Sequence, residues 1–346
     1  MDTIEVKLVL KNGINLEDIN YLRKEINKMQ SEKGYRFCDV LEVTPNDDLL
    51  VKISYPRYFS KSNAFLITKK SECFEVQEAF CDFFINDSYF IELIDEIVLT
   101  RVDIPFTFII DEDLDFHSYK NLYKIFAMVY CERKGETGRV KGYLDLIEDK
   151  YETIVYSDNG KTDKTSNNRL MIYNQYRNLE KKLKDDELKE AIAENPNLIG
   201  RVRLEVSKRI RRKGFFLEEF REFDIIKAYY ESYKEYILEN ILNLGIIDDI
   251  YEDKAEELEE ILEEERKGSS FNYRVFILEN LRGIYDYKIL RKALYRNIRN
   301  EKTRESAITC VRKILRELER KNGVIILDTY EKIKELRNEI EIMEIR

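Results

Sequence analysis

Three stretches of this chain alternate between apolar and polar residues, and this alternation constrains the fold more than any other feature. They are residues 97–108, 168–176 and 200–207. In the longest, one face consists of Val102, Ile104, Phe106 and Phe108. Successive side chains of a strand point to opposite sides of a sheet. We therefore predict two-faced strands, with helices covering the apolar side and the polar side left accessible.

The polar faces of these strands carry charged residues and a tyrosine. They are Arg101 and Asp103, Arg169 and Tyr173, and Arg203 and Glu205. Aspartate is disfavoured within strands, so Asp103 invites a specific role. If the strands are neighbours, Asp103 and Glu205 converge, and their oxygens suit a hard cation such as Mg²⁺ or Mn²⁺. The alternative is that these side chains form cross-strand ion pairs on a solvated face.

Tyr173 is one of 23 tyrosines, so its residue type alone indicates nothing. Placed beside two carboxylates and a metal ion, it could attack a phosphodiester as a covalent nucleophile. A phenol with a pKa near ~10 needs a metal or a base to lose its proton. Arg169 and Arg203 would hold the phosphate, which suits the guanidinium fork. The alternative is a ring that only packs.

Composition limits the other kinds of site. His117 is the one histidine, which excludes a Ser-His-Asp site elsewhere and a histidine-rich zinc site. Five scattered cysteines are typical of reduced thiols. The sequence begins with no signal-peptide pattern and contains no apolar run of roughly 18 residues, so we expect a cytoplasmic protein that does not enter a membrane.

The net charge of −9 argues against a whole surface that binds nucleic acid, but the charges are segregated. Residues 252–265 are strongly acidic, which we interpret as a solvated amphipathic helix. A basic run follows the strand at 200–207, and we expect it to contact nucleic acid. Its members are Lys208, Arg209, Arg211, Arg212 and Lys213.

The distribution of patterns predicts an α+β protein with two domains. Residues 1–222 should form a mostly antiparallel sheet with helices packed on one face, including a short strand at 64–68. Pro105 predicts an edge position or a bulge in its strand. Residues 223–346 should be almost entirely helical. Within them, residues 283–328 suggest a winged helix, in which a strand follows the Gly323 cap and Arg312, Lys313 and Arg316 contact DNA.

Four short segments, taken in order, resemble a known family. They are residues 100–103 (TRVD), 152–156 (ETIVY), 168–174 (NRLMIYN) and 203–205 (RLE). This set is similar to rolling-circle replication initiators, namely the gene II replication proteins of filamentous phages and the Rep_trans initiators of small Gram-positive plasmids. The likeness covers roughly residues 95–215, and residues 195–198 (NPNL) before 203–205 look particularly like the phage branch.

The resemblance implies a function and a set of site residues. Tyr173 matches the tyrosine that nicks one strand at the origin, keeps the 5′-phosphate and leaves a 3′-OH. Asp103 and Glu205 match the acidic positions, with Glu152 a third candidate, which implies Mg²⁺ or Mn²⁺. Double- and single-stranded origin DNA would be the partner. A host helicase, a host polymerase and a second copy of the chain are further candidates.

The chain also departs from the family pattern. The plasmid branch usually has a lysine shortly after the tyrosine, where this chain has Gln175, although Lys181 and Lys182 follow on the next helix. Tyr176 is either a second active tyrosine or a packing residue. Two other functions remain open: a non-catalytic DNA-binding replication or regulatory protein, and a relaxase that mobilises a plasmid by the same chemistry.

Overall fold

The computed structural model describes residues 1–111, 114–133, 153–157, 168–267 and 271–342. These residues divide into two compact units. The first holds residues 1–109 and 155–234, and the second holds the described residues of 110–154 and those from 235 onward. The predicted domain boundary, between residues 222 and 223, lies within the second segment of the first unit.

The first unit is built on a sheet of seven strands in the order β2-β3-β1-β4-β7-β6-β5. The strands are β1 Thr3–Leu10, β2 Cys38–Val43, β3 Leu49–Ser54, β4 Ile94–Ile109, β5 Thr153–Ser157, β6 Asn168–Asn174 and β7 Arg201–Phe215. The pairings of β1 with β3 and β4, of β2 with β3, and of β7 with β4 and β6 are antiparallel. The antiparallel sheet and a helical C-terminal region confirm the predicted α+β class.

Helices of the first unit come between and after these strands. They are α1 Leu16–Ile26, α2 Tyr55–Phe59, α3 Lys70–Ile85, α4 Ser88–Leu93, α6 Gln175–Glu180, α7 Asp185–Glu194 and α8 Leu217–Arg221. The side-chain amide of Gln77 on α3 donates hydrogen bonds to the carbonyls of Phe220 (2.7 Å) and Phe223 (3.0 Å). These bonds join α3 to α8, so the two helices form one layer against the sheet.

The apolar face of the sheet follows the alternation that the sequence predicts. Val102, Phe106, Val202, Leu204, Val206, Leu170 and Ile172 are all buried. The ring of Tyr230, in a short π-helical segment, stacks on Phe106 with the ring centres 5.6 Å apart. Burial of this face supplies most of the sheet's hydrophobic stabilisation, at roughly 25 cal/mol per Å² of apolar surface.

The register aligns the three predicted polar faces. Asp103 on β4 lies opposite Ser207 on β7, and Tyr173 on β6 lies opposite Arg203 on β7. Cross-strand partners point to the same side of an antiparallel sheet. Since Glu205 lies between Arg203 and Ser207 on that face of β7, the three strands share one continuous polar face. The expectation that this side is accessible is wrong for these residues, because Asp103, Tyr173, Arg203, Glu205 and Ser207 are all buried.

Pro105 occupies a local edge inside a central strand. The pairing of β1 with β4 ends where Thr3 faces Asp103, so only β7 runs beside β4 at Pro105. Proline has no backbone N–H to donate and is tolerated where one side of the strand is unpaired. The edge position that the sequence predicts is therefore present locally, although β4 as a whole lies between two strands.

The expected strand at 64–68 does not form. Ala64 instead packs with Leu179, Ala191 and Leu198 in a small core, and its carbonyl accepts hydrogen bonds from the side chains of Gln175 (3.1 Å) and Arg201 (3.0 Å). Side chains thus satisfy a backbone group that a strand ladder would otherwise bond. The basic run at 208–213 is also placed differently, because β7 continues through it to Phe215.

The second unit is helical in its described residues. Its helices are α5 Lys120–Arg133, α10 Leu244–Arg266, α11 Tyr273–Asn280, α12 Tyr287–Asn297, α13 Glu301–Asn322 and α14 Thr329–Ile342, while the boundary between the units falls within α9, Glu231–Asn240. The acidic stretch 252–265 lies in α10, where Leu258 and Leu262 are buried. This placement agrees with the amphipathic helix that the sequence predicts.

The wing of the proposed winged helix is absent from this segment. Gly323 ends α13 in the left-handed conformation (φ 63°), as predicted, but residues 324–328 form no strand. The N–H of Ile325 donates to the carbonyl of Ser118 (2.9 Å), and the carbonyl of Ile325 accepts from the Asn121 side chain (2.8 Å). These bonds and the burial of Ile325 tie the segment to α5 and the turn before it, leaving no returning strand.

Candidate active site on the polar face of the sheet

Tyr173 lies at the end of β6, on the polar face of the sheet, with 6% of its surface exposed. Its hydroxyl donates a hydrogen bond of 3.0 Å to Oε2 of Glu205 on β7. Burial, followed by the nearby Glu205 charge, raises the pKa of Tyr173 well above its usual value. The phenol is therefore protonated near neutral pH, and a reaction at its oxygen needs a group that takes the proton.

Glu205 is placed to take that proton. It is buried, and its pKa is raised to about 7, chiefly by burial and then by the Asp103 and Asp2 carboxylates. The charge of Arg203 and the hydrogen bond from Tyr173 act in the opposite direction. A general base works best when its pKa lies near the working pH, which this position provides.

Arg101 joins the acidic groups on β1 and β4. Its Nε donates to Oδ1 of Asp103 at 2.7 Å, and its Nη2 bonds the other carboxylate oxygen. Nη1 reaches Oε1 of Glu5 at 2.8 Å, and Nη2 also lies 3.3 Å from Oγ of Ser207. Paired guanidinium–carboxylate bonds of this kind fix both partners, so Asp103 is held rigidly beside the tyrosine–glutamate pair.

Arg203 is fully buried, which distinguishes it from an open phosphate ligand. Its Nη1 lies 3.3 Å from Oδ2 of Asp2, and its Nη2 donates to the carbonyls of Asn63 (2.9 Å) and Ala64 (3.3 Å). These bonds hold the 60–67 segment beside the start of β7. The geometry thus gives Arg203 a positioning role, and the phosphate contact predicted from sequence would require it to leave these partners.

The predicted metal ligands are only partly assembled. Asp103 and Glu205 share the polar face, whereas Glu152 lies outside the described residues. Both oxygens of Asp103 bind Arg101, and no cluster of three or more His, Cys, Asp or Glu side chains in the described chain is arranged to hold a metal ion. Carboxylates are the right donors for Mg²⁺ or Mn²⁺, but the described residues do not form a site as they stand.

Two acidic residues of the site escape prediction from sequence. Asp2 and Glu5 belong to the β1 segment, and both are buried at the site beside Arg203 and Arg101. Alternation in β1 identifies a strand but not its neighbours. Only the pairing of β1 with β4 brings Glu5 opposite Arg101.

The residues that follow Tyr173 have different surroundings. Gln175, where the resembling plasmid proteins have a lysine, is buried and donates to the carbonyls of Asn63 and Ala64. Tyr176 is half-buried near the start of α6. The pKa of Lys182 is lowered, chiefly by burial and then by other cations, while Glu205 and Asp2 act against this shift.

The predicted nucleic-acid-binding residues form two groups, one in each unit. Lys208 and Arg209 are exposed on β7, and Arg211, Arg212 and Lys213 continue the same strand with side chains outside the described part. Arg169, predicted to hold phosphate, lies on β6 opposite Ser207, and its side chain is likewise not described. The second group, Arg312, Lys313 and Arg316, is exposed on α13.

No protein-family model, curated protein or solved structure matches this chain. The interpretation of the site therefore depends on its own residues and their geometry. Each helix in the described ranges is too short or too polar to cross a membrane.

Proposed function

We propose that this protein nicks and rejoins one strand of DNA through Tyr173 and initiates rolling-circle replication. The observation that carries the proposal is the 3.0 Å hydrogen bond from the Tyr173 hydroxyl to Glu205. A nucleophile bonded directly to a base with a pKa of about 7 is the arrangement that covalent catalysis requires. That the substrate is DNA is inferred from the order and spacing of the segments that resemble rolling-circle initiators.

In the proposed reaction, Glu205 takes the proton from the Tyr173 hydroxyl as its oxygen attacks the phosphorus. The new bond joins the tyrosine oxygen to the 5′-phosphate, and the bond from phosphorus to the 3′-oxygen breaks. The 3′-oxygen leaves with the electron pair and takes a proton from solvent, giving the 3′-OH. Rejoining is the same exchange in reverse, with the 3′-OH as the nucleophile and tyrosine as the leaving group.

Other residues of the polar face have supporting roles. Arg101 holds Asp103 in place on the polar face. Arg209 extends the polar face along β7 with exposed positive charge, which suits the DNA backbone. Lys208 is also exposed but lies on the other face of the strand, opposite Val102. Mg²⁺ or Mn²⁺, which the resemblance implies, would need ligands beyond those that the described residues assemble.

The burial of Tyr173 sets one requirement on this function. Tyr173 is buried, so a phosphodiester reaches its hydroxyl only after neighbouring groups move. In the proposed reaction the segment 60–67, which Gln175 and Arg203 hold beside the start of β7, is the part that moves. The bonds that hold it end on backbone carbonyls of Asn63 and Ala64, and water can replace the protein donors there.

The test is the formation of a covalent protein–DNA adduct. The full chain is incubated with a pool of random single-stranded oligonucleotides labelled at the 3′ end, with Mg²⁺, with Mn²⁺ or with EDTA. Adducts are then resolved on denaturing gels. Wild type should form a labelled adduct, Tyr173→Phe should form none, and Tyr176→Phe should behave as wild type. An undiminished adduct in Tyr173→Phe would refute Tyr173 as the nucleophile.

The arrangement of the ion pairs favours a second candidate, a DNA-binding replication protein without catalytic activity. Arg101 and Arg203 pair with the buried acids Asp103 and Asp2, so the network neutralises much of its own charge. Structural ion-pair networks also perturb pKa values. This candidate is supported if no adduct forms with Mg²⁺, with Mn²⁺ or with EDTA while the protein still binds DNA.

A further inference from the structure

Helix α12 of the second unit carries basic residues on two sides that have different surroundings. On one side, Lys288, Lys292 and Arg296 follow the i, i+4 spacing that aligns side chains along a helix. This side pairs with acidic residues of α10: Asp248 with Lys288, Glu252 with Lys292 and Arg296, and Glu256 and Glu259 with Arg296. The charge of this side is therefore neutralised within the unit.

The other side of α12 faces α13 and alternates arginine with tyrosine. Arg304 of α13 places its guanidinium 4.4 Å from the ring centre of Tyr295, and Arg291 lies 5.3 Å from the same ring. Arg312 of α13 lies 5.8 Å from the ring centre of Tyr287. These five residues form what we call the arginine–tyrosine stripe. From Tyr287 to Tyr295 it extends roughly 12 Å along α12, at about 1.5 Å per residue.

The stripe keeps its positive charge and its access to solvent. Tyr295 is 41% exposed, and Arg291 and Arg312 are exposed beside it. None of the three arginines forms an ion pair with an acidic residue of the described chain, and Glu305 is the acid at the stripe, 3.4 Å from the Tyr295 hydroxyl. The contrast with the side of α12 that pairs with α10 shows that the second unit leaves this charge available to a ligand.

We propose that the arginine–tyrosine stripe binds single-stranded DNA. A guanidinium stacked on a ring keeps its N–H edges for phosphate oxygens and loses little freedom when it binds them. Exposed tyrosine beside positive charge is also the combination that binds the bases and backbone of single strands. Duplex DNA keeps its bases stacked, so it would use only the phosphate contacts.

The proposal adds a DNA contact in the second unit, whereas the residues that would perform the nicking reaction belong to the first. That the ligand is a flexible polyanion is inferred from the stripe itself. That this polyanion is DNA rests on the proposed function. Unwinding and extension from the 3′-OH after nicking displace a single strand, which is the ligand this surface would hold.

The test measures binding in the full chain carrying Tyr173→Phe, without divalent ions, so that it is independent of nicking. Fluorescence anisotropy follows a labelled oligothymidylate over roughly 50 to 200 mM salt. Arg291→Gln with Arg304→Gln is compared with Lys292→Gln with Arg296→Gln, which removes the same charge from the other side of α12. Circular dichroism and thermal melting verify that each variant is folded.

The stripe variant should bind about tenfold more weakly, and its salt slope should fall by roughly 1.4, because each lost contact to a single strand accounts for about 0.7. The control should change the affinity less than about twofold on the same scale. Tyr295→Leu should weaken binding roughly tenfold through lost stacking.

Three results would overturn the proposal. Wild-type affinity in the stripe variant would show that the stripe does not bind the oligonucleotide. An equal loss of affinity in the control would show that the effect comes from net charge and not from the stripe. The third result is that duplex DNA or heparin binds as tightly as oligothymidylate and loses as much affinity in the stripe variant. That result would show that the ligand is not specifically a single strand. Because each binding measurement is made without the Tyr173 hydroxyl, none of these results depends on whether the nicking proposal is correct.

Discussion

Tyr173 and Glu205 are diagonal neighbours rather than direct cross-strand partners. Tyr173 lies opposite Arg203, and Glu205 lies opposite Met171, yet the tyrosine hydroxyl reaches the glutamate at 3.0 Å. Diagonal positions are within reach of long side chains in antiparallel sheets. The pair therefore depends on the register of β6 against β7, and a shift of one residue would move Tyr173 to the opposite face.

Replacing Glu205 with glutamine should change how stability depends on pH. The folded pKa of Glu205, about 7, is raised above its usual 4.5, so the folded state binds this proton more tightly than the unfolded chain. The group's stabilising contribution is complete below pH 4.5 and is lost as the pH rises through about 7. The loss amounts to about 3 kcal/mol at most.

Urea denaturation at several pH values measures this effect. The free energy of unfolding of Glu205→Gln, relative to wild type, should increase by up to about 3 kcal/mol across that interval. Glu180→Gln, at an exposed acid that pairs with Arg177, is the control and should show no such change. Parallel curves for Glu205→Gln and wild type would show that the Glu205 pKa is not raised.

The proposed base also predicts the pH dependence of the nicking step. Adduct formation requires ionised Glu205, so its single-turnover rate should rise about tenfold per pH unit below pH 7 and level off above it. Glu205→Gln should lose most of the rate and this inflection. A wild-type rate that is flat from acidic to neutral pH would exclude Glu205 as the base.

Arg101→Met should be among the most destabilising substitutions on the sheet. It removes the cation that pairs with Asp103 and Glu5 and leaves two buried carboxylates without it. Breaking a buried pair in this way costs about 3–5 kcal/mol, whereas Arg177→Met at an exposed pair should cost less than about 1 kcal/mol. Chemical denaturation of both variants gives the comparison, and similar losses would contradict the buried network.

Asp286 should contribute strongly to the stability of the second unit. It is buried, and its carboxylate accepts hydrogen bonds from the backbone N–H groups of Lys288 (2.5 Å) and Tyr330 (2.6 Å), which begin α12 and α14. Asp286→Ala should cost about 3 kcal/mol, because a buried donor on Tyr330 and a partly buried one on Lys288 lose their acceptor. Asn272→Ala, at the exposed cap of α11, should cost about 1 kcal/mol. Thermal melts that shift equally would argue against this double cap.

The glycine that ends α13 gives a prediction about backbone strain. Gly323 has φ of 63°, and an added Cβ would meet nothing within 4 Å, so only its conformation opposes substitution. Gly323→Ala should destabilise by about 1 kcal/mol. At Gly283, where φ is not positive and the nearest contact is an ordinary 3.6 Å, alanine should be neutral or slightly stabilising. The denaturation midpoints of Gly323→Ala and Gly283→Ala measure the difference, and equal midpoints would contradict the strain at Gly323.

The sequence predicts the polar face of the sheet well, because period-two alternation is a local property. The stretch 97–108 lies in β4, 168–174 is β6, and 200–207 lies largely within β7. The pattern places Asp103, Tyr173 and Glu205 on polar faces without any knowledge of pairing. Helical periodicity likewise indicates the helices of the second unit.

What escapes prediction depends on contacts between distant parts of the chain. Glu5 enters the site because β1 pairs with β4 almost a hundred positions later in the sequence. The segment after Gly323 has the composition of a strand, but contacts with Ser118 and Asn121 hold it in another conformation. In these cases tertiary bonding overrides local propensity, and a single sequence does not show it.

The pairing of β4 with β7 has a consequence for the synthesis of the chain. Roughly 90 residues separate Ile109 from its partner Arg201, which takes on the order of 5 to 20 s to translate at about 5–20 residues per second. During that time one edge of β4 has no neighbour, although β1 can already cover the other. The charged pair Arg101 and Asp103 lies on this part of β4, and charged side chains there discourage pairing with other chains. The side chains that form the candidate site would thus also protect the nascent protein from aggregation on the ribosome.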